Sequence, residues 1–111
     1  MTTATPTNPF PQVPYPGGAV KADPWEDLSS SPFRYFEGSR WVVDRREDLP
    51  SSRDIDVYIA GIQAPDGTIE REVVVNQCHA DDPMTPRQAR QLARALIAAV
   101  AEVDGWAARD E

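Results

Sequence analysis

The chain has 111 residues, with 18 acidic and 11 basic side chains and a formal net charge of −7 at pH 7. This length predicts one domain, and the negative charge disfavours phosphate binding unless a local basic patch outweighs the overall field. A single cysteine, Cys78, excludes an internal disulfide framework. We find no secretory signal and no apolar run near the roughly 18 residues of a membrane-spanning helix, and therefore expect a cytoplasmic protein with no membrane contact.

Proline dominates the N-terminal segment. Residues 1–22 contain five prolines, the pair Gly17-Gly18 and almost no periodic apolar residues. Such a composition cannot bury enough apolar surface to offset the entropy lost on ordering. The sequence therefore predicts a disordered proline-rich arm over residues 1–22 and a single α+β domain over residues 23–111.

An acidic and aromatic motif follows the arm. Pro24-Trp25-Glu26-Asp27-Leu28 is typical of linear motifs that dock in a partner's groove, which makes Trp25 and Leu28 candidate partner-binding residues. The alternative is that Trp25 folds back and packs on the domain's own core. We favour that alternative for Trp25, because a small sheet needs the cover.

Two hairpins are predicted next. Residues 33–36 and 40–43 flank Glu37-Gly38-Ser39, a plausible turn. Residues 54–63 and 68–77 are rich in β-branched side chains and are joined by Ala64-Pro65-Asp66-Gly67, which suits a type I turn followed by a left-handed residue. The charged residues 45–53 between the hairpins are interpreted as a loop.

The pattern of the second hairpin also predicts its register. Pairing Ala64 with Thr68 places Ile59 opposite Val73 and Val57 opposite Val75, whereas a register one residue shorter sets Ile59 against Glu72. We therefore expect one apolar face and one half-polar face. The apolar face is Ile55, Val57, Ile59, Val73 and Val75; the half-polar face carries Asp56, Tyr58, Glu70, Glu72 and Val74.

A C-terminal amphipathic helix completes the predicted fold. The helix is predicted to begin with a capping box, in which Thr85 is the N-cap, Pro86 the first helical residue and Gln88 the third. It is predicted to end at Gly105, with Trp106 packing on that end. Its predicted apolar stripe is Ala89, Leu92, Ala93, Leu96, Ile97, Val100 and Val103. The expected fold class is α+β, a small antiparallel sheet of about four strands in two hairpins packed on this helix.

One helix can cover only one face of such a sheet. Tyr58, Ile62 and Val74 would remain on the other face, together with aromatic residues from the 33–41 region. Either a two-fold homodimer or the Trp25 segment folded across that face could cover them. We expect the homodimer.

Residues 78–82, Cys78-His79-Ala80-Asp81-Asp82, contain the metal-ligand types of the sequence. Adjacent residues rarely aim at one ion, and the chain has no second cysteine or histidine to complete a site. We interpret this stretch as a polar loop, with Cys78 and His79 only weak metal candidates. Phosphate-binding and nucleophile motifs are missing, so the sequence predicts no cofactor, no catalytic residue and no enzyme.

Three arginines form a basic stripe on the helix. Arg87, Arg90 and Arg94 lie away from the apolar face. The predicted helix contains a single glutamate, Glu102, to balance their charge. They are candidate partner-binding residues that could contact phosphate or an acidic protein surface. An ordinary solvated helix face is the favoured interpretation, and three arginines make a small patch for DNA.

A resemblance supplies context. The similar stretches are Gly61-Ile62-Gln63, the Asp66-Gly67-Thr68 turn, Val73-Val74-Val75 and a helix opening Met84-Thr85-Pro86-Arg87-Gln88-Ala89-Arg90-Gln91-Leu92-Ala93. This part of the chain is similar to small uncharacterised proteins of actinobacteria and their phages, mycobacterial ones especially. Their helix commonly opens Leu-Thr-Pro, and Met84 replaces that leucine here. The resemblance covers about two fifths of the chain and implies a phage or prophage context without any catalytic residue.

From these features we expect a non-enzymatic interaction or regulatory protein that acts by protein–protein contact. The first alternative is a nucleic-acid-associated accessory protein that uses the arginine stripe. The second is a metal-binding or catalytic protein centred on Cys78 and His79.

Overall fold

The computed structural model describes residues 8–45 and 54–110. These residues form strands β1 (Lys21–Ala22), β2 (Arg34–Val43), β3 (Ile55–Gln63) and β4 (Ile69–Asn76), followed by helix α1 (Pro86–Asp110). All neighbouring strands are antiparallel, in the spatial order β1-β2-β3-β4. The predicted fold class, a four-stranded antiparallel sheet with one C-terminal helix, is confirmed. Within the described ranges no helix has the length and apolar character needed to span a membrane.

The hairpin of β3 and β4 has the predicted turn and register. The amide of Ala64 donates to the Thr68 carbonyl at 2.9 Å, and the amide of Gly67 donates to the Ala64 carbonyl at 2.9 Å. Gly67 has φ 92°, the left-handed conformation that the bulged turn requires. Val57 then lies opposite Val75, and Ile59 opposite Val73.

The other predicted hairpin is wrong. Residues 34–43 form one strand, which pairs with β3 on both sides of an irregularity between Glu37 and Arg40. Gly38 and Ser39 lie in that irregularity as a bulge, because β3 offers hydrogen-bond partners along the whole of β2. The fourth strand is instead β1, whose Lys21 pairs with Glu37.

Helix α1 begins as predicted and ends later. The Gln88 amide donates to Thr85 Oγ1 at 3.2 Å, and the Thr85 amide donates to Gln88 Oε1 at 3.0 Å, which is the capping box. The predicted end at Gly105 is wrong, since the helix continues to Asp110. An ion pair between Asp110 and Arg71 of β4 holds the additional turn against the sheet.

The buried face of α1 is rotated from the predicted stripe. Its buried side chains are Leu92, Ala95 and Ala99, and they pack on the core residues Val43, Ile55, Val57 and Ile59. Two small alanines let the helix approach the sheet closely, so they replace larger members of the predicted stripe at the contact. Two of those members, Ile97 and Val100, are 71% and 50% exposed.

The structure also differs from the predicted domain boundary at residue 23. Residues 1–7 lie outside the described residues, but residues 8–22 pack on the domain, with Val13 and Pro16 buried and Lys21–Ala22 in the sheet. This segment is held through its backbone. The Arg34 guanidinium donates to the carbonyl of Pro14 at 3.2 Å, and Gln63 donates to the same carbonyl at 2.9 Å.

Candidate protein-interaction surface

The two faces of the sheet are covered differently. Helix α1 packs on the face that contains Ile55, Val57 and Ile59, and the segment before β1 adds its contacts to Arg34 and Gln63 on the same face. On the opposite face, no described element of the chain packs against the strands. We call this opposite side the open face. Its central side chains are Asp56, Tyr58, Ala60 and Ile62 of β3, flanked by Tyr35, Glu37, Arg40 and Val42 of β2 and by Glu70, Glu72, Val74 and Asn76 of β4.

Strand register arranges these side chains in rows across the sheet. One row runs from Tyr35 through Ile62 to Glu70, and another from Arg40 through Tyr58 to Val74. Directly opposite residues on one face have Cβ atoms about 5 Å apart, so each row is a continuous strip of contact surface. Apolar surface is therefore available across the width of the sheet.

A shallow cavity lies in the middle of the open face. Its volume is about 310 Å³, and its floor includes Tyr35, Tyr58, Ala60 and Ile62. Glu37, Glu70 and Glu72 stand at its sides, with Lys21 and Asp23 at the β1 end. An apolar floor with carboxylates at the rim suits a side chain that is apolar along its length and positive at its end.

The open face is negatively charged. Counting Lys21 and Asp23 with it, it holds five carboxylates against two cations, a formal net charge of −3. Arg40 already interacts with other residues of this face. It forms an ion pair with Asp56, and its Nη2 lies 3.6 Å from Oε1 of Glu37. Its Cζ lies 4.3 Å from the centre of the Tyr58 ring.

Two of the carboxylates of the open face have no ion-pair partner among the described residues. Glu70 and Glu72 are exposed, and neither makes an ion pair with any residue in the described ranges. Each is therefore positioned to accept a cation from outside the chain.

The structure separates the site residues predicted from the sequence. Trp25 is buried, its ring 4.9 Å from that of Phe10 and 4.6 Å from the guanidinium of Arg34. Trp25 therefore packs on its own domain, as the favoured interpretation has it, and its role as a partner-binding residue stays a prediction. Leu28 remains 57% exposed, at a second cavity of about 490 Å³ that Trp25 and Arg34 also line.

The arginine stripe lies apart from that cavity. Arg87, Arg90 and Arg94 are all exposed on the N-terminal half of α1, and none of them forms an ion pair with a described residue. Of the described residues that line the cavity beside Trp25 and Leu28, none is one of these arginines. They remain predicted partner-binding residues.

A hydrogen bond to Asp82 holds the loop before α1. Cys78 and His79 are exposed, while the Asp82 carboxylate accepts a hydrogen bond from buried Arg45 at 2.6 Å. In the part of the chain that the structure describes, no three histidine, cysteine, aspartate or glutamate side chains are grouped to hold a metal ion.

Part of the open face was not predicted from the sequence. The β3–β4 pattern identifies Asp56, Tyr58, Glu70 and Glu72. The sequence interpretation places residues 33–36 and 40–43 in a separate hairpin with Glu37 in its turn, and so does not place the β2 side chains beside them. The alternation of Arg34 and Phe36 with Tyr35 and Glu37, continued as one strand, is the signal that would have placed them.

Comparison with protein-family models, with curated proteins and with solved structures gives no match to this chain. The surface is therefore interpreted from its own geometry and charge.

Proposed function

We propose that this chain is a non-enzymatic interaction or regulatory protein of the cytoplasm that acts by protein–protein contact through its open face. One observation supports this most directly: the described part of the chain leaves apolar side chains of this face uncovered, next to Glu70 and Glu72, for which it offers no ion-pair partner. Uncovered apolar surface rimmed by polar groups is characteristic of protein-binding sites. The phage or prophage context implied by the sequence resemblance belongs to the same proposal.

The partner that best fits this face is an amphipathic helix with lysine or arginine along its borders. A sheet face is commonly covered by a helix, as α1 already covers the first face. Apolar side chains of the partner would pack on Tyr35, Tyr58 and Ile62, and its cations would meet Glu70 and Glu72. Charge complementarity of this kind contributes more to the specificity and the association rate of a complex than to its affinity.

A pair of synthetic peptides tests this proposal on the full chain. One is an amphipathic helix of leucine and lysine; the other has glutamate in place of each lysine. With isotope-labelled protein at physiological salt, we expect the lysine peptide to shift amide NMR signals of the β2, β3 and β4 residues of the open face. The glutamate peptide should shift none. Shifts confined to α1, or equal shifts with both peptides, would contradict the proposal.

Matched variants identify the charges responsible. We expect Glu70→Gln with Glu72→Gln to weaken binding of the lysine peptide by about two- to thirtyfold, since exposed ion pairs each contribute about 0.2–1 kcal/mol. Asp81→Asn with Asp104→Asn, exposed sites in the loop before α1 and on α1, removes the same charge and should leave affinity unchanged. Equal effects of the two double variants would indicate only a response to net charge.

The arginine stripe supports a second candidate function, association with nucleic acid, because Arg87, Arg90 and Arg94 are exposed and form no ion pair with a described residue. A mobility-shift assay with duplex DNA across a salt series tests it. A salt-sensitive shift that Arg87→Gln, Arg90→Gln and Arg94→Gln together abolish would favour this candidate over the protein partner.

A further inference from the structure

Strand β4 has an unpaired outer edge. Within the described residues its one neighbour is β3. The hydrogen bond between Ala64 and Thr68 fixes which residues of β4 bond to β3, and these are the even-numbered ones. The backbone N–H and C=O groups of Ile69, Arg71, Val73 and Val75 therefore point outward. Residues 69–76 contain no proline, glycine or lysine and pair with β3 without a bulge. The charges of Glu70, Arg71 and Glu72 are the protective feature this edge does carry, so they restrict which pairing registers are allowed.

Exposed apolar side chains of α1 lie on the same side of the molecule as this edge. Glu102 accepts a hydrogen bond from Ser39 of β2 at 2.9 Å, which identifies the β2 side of the helix. Val100 lies about 160° around the helix from Glu102, and therefore on the β4 side. Val100 is 50% exposed, and Val75 on the neighbouring strand is 37% exposed. The outer edge of β4 and the exposed side chains of Val75 and Val100 thus adjoin each other.

We propose that a second copy of this chain pairs antiparallel with β4, forming an eight-stranded sheet around a two-fold axis at Val73. Residues that lie opposite each other on two paired strands must point to the same face of the sheet. A two-fold axis can therefore pass between a residue and its own copy, but not between two residues that are neighbours in sequence. With the axis at Val73, Arg71 lies opposite Val75, Glu72 opposite Val74 and Glu70 opposite Asn76 of the second copy. No like charges face each other.

Neighbouring registers are less favourable. An axis at Glu72 places the two Glu72 carboxylates directly opposite each other, which is destabilising. An axis at Val74 shortens the pairing, because β4 ends at Asn76 and Gln77 leaves the strand with φ 65°. Val73 therefore gives the longest pairing without opposed like charges.

This contact also explains the exposure of Val100 on α1 and Val75 on β4. In the two-fold arrangement both helices lie on the same face of the joined sheet, and the Val100 sides of the two helices face each other across the axis. The open face remains uncovered in each copy. The dimer is therefore independent of the proposed partner contact, and either can fail without the other.

A cysteine cross-linking experiment tests the register. In a Cys78→Ser background of the full chain, Glu72→Cys and Val74→Cys are prepared separately, mixed and oxidised. The opposed pair is one without hydrogen bonds across the edge, where Cβ atoms are close enough for a disulfide. We expect cross-linked dimer in the mixture and none in either variant alone. Self-cross-linking of either variant alone would overturn the Val73 register.

Sedimentation of the unmodified full chain across a tenfold dilution series tests the dimer itself. We expect a mass of twice the monomer that falls on dilution; a monomer mass at high micromolar concentration would overturn the proposal. Val100→Glu should raise the dissociation constant at least about tenfold, because it buries an unpaired charge. Ala101→Glu, one position along and exposed, is the control and should change it little. Equal dissociation constants for these two variants would also overturn the assigned interface.

Discussion

Arg34 donates a hydrogen bond of 2.7 Å from its Nε to Oε1 of Gln63, and both side chains are almost completely buried. The guanidinium also donates to the carbonyls of Val13 and Pro14, at 3.4 and 3.2 Å. Neutral oxygens thus satisfy a buried cation. Burial lowers the pKa of Arg34, and the electrostatic influence of Tyr15 offsets part of that effect.

This arrangement predicts that Arg34 supports stability more than any exposed arginine. Arg34→Met leaves Gln63 and the Pro14 carbonyl with fewer donors in a buried site, and we expect a loss of about 2–3 kcal/mol in the free energy of unfolding. Urea denaturation measures it. Arg87→Met on the exposed face of α1 is the control and should change stability by less than about 0.5 kcal/mol. Equal effects would mean that the buried hydrogen bonds contribute nothing.

Two glycines should respond oppositely to alanine. Gly105 lies within α1, where a Cβ would meet open space, so Gly105→Ala should stabilise by about 0.5–1 kcal/mol. Gly18 has φ 77°, and a Cβ there would clash with the indole ring of Trp106, so Gly18→Ala should destabilise by more than about 1 kcal/mol. Thermal or urea unfolding distinguishes the two. Destabilisation by Gly105→Ala would instead place that residue at the helix end.

The β3–β4 turn predicts a pH effect. Hydrogen bonds from the side chain and the backbone of Thr68 lower the pKa of Asp66. Because the folded pKa lies below the unfolded value of about 3.9, the resulting stabilisation is present above that pH and is lost as pH falls through the folded pKa. An NMR titration of the Asp66 carboxyl should show the lowered pKa. Thr68→Val should move it back towards the usual value, whereas Thr68→Ser, which keeps the hydroxyl, should not.

The loop before α1 should tolerate substitution. Cys78→Ser and His79→Ala change exposed side chains, and we expect each to alter the free energy of unfolding by less than about 0.5 kcal/mol. Metal analysis of protein purified without added metal accompanies the unfolding curves. Stoichiometric zinc or iron in the unmodified chain, lost in either variant, would identify a metal site and reject this expectation.

The parts of the fold that the sequence predicted are those with a short repeating signal. The alternation of β-branched residues and the Pro65-Asp66-Gly67 turn together determined the β3–β4 register, because a slip of one residue would turn every side chain to the other face. The capping box at Thr85 and Gln88 located the start of α1 for a similarly local reason. Half of the open face followed directly from that register.

The parts that the sequence did not predict depend on contacts distant along the chain. Residues 8–22 have little apolar periodicity, and their position depends on backbone carbonyls that accept from Arg34 and Gln63. No pattern of side chains within the segment itself signals such a contact. Likewise β2 runs through Gly38 because β3 pairs with both of its halves, although Glu37-Gly38-Ser39 taken alone resembles a turn.

The contact of Trp106 with Gly17 and Gly18 connects the beginning and the end of the described chain. Because the N-terminal segment buries few apolar side chains, we expect it to open before the β3–β4 hairpin in partial unfolding. Detachment of the N-terminal segment removes β1 with it and uncovers the outer edge of β2. A partly unfolded molecule of this kind can add strands on that side and aggregate. Together with Arg34 and Gln63, the indole ring of Trp106 therefore helps to keep this edge covered.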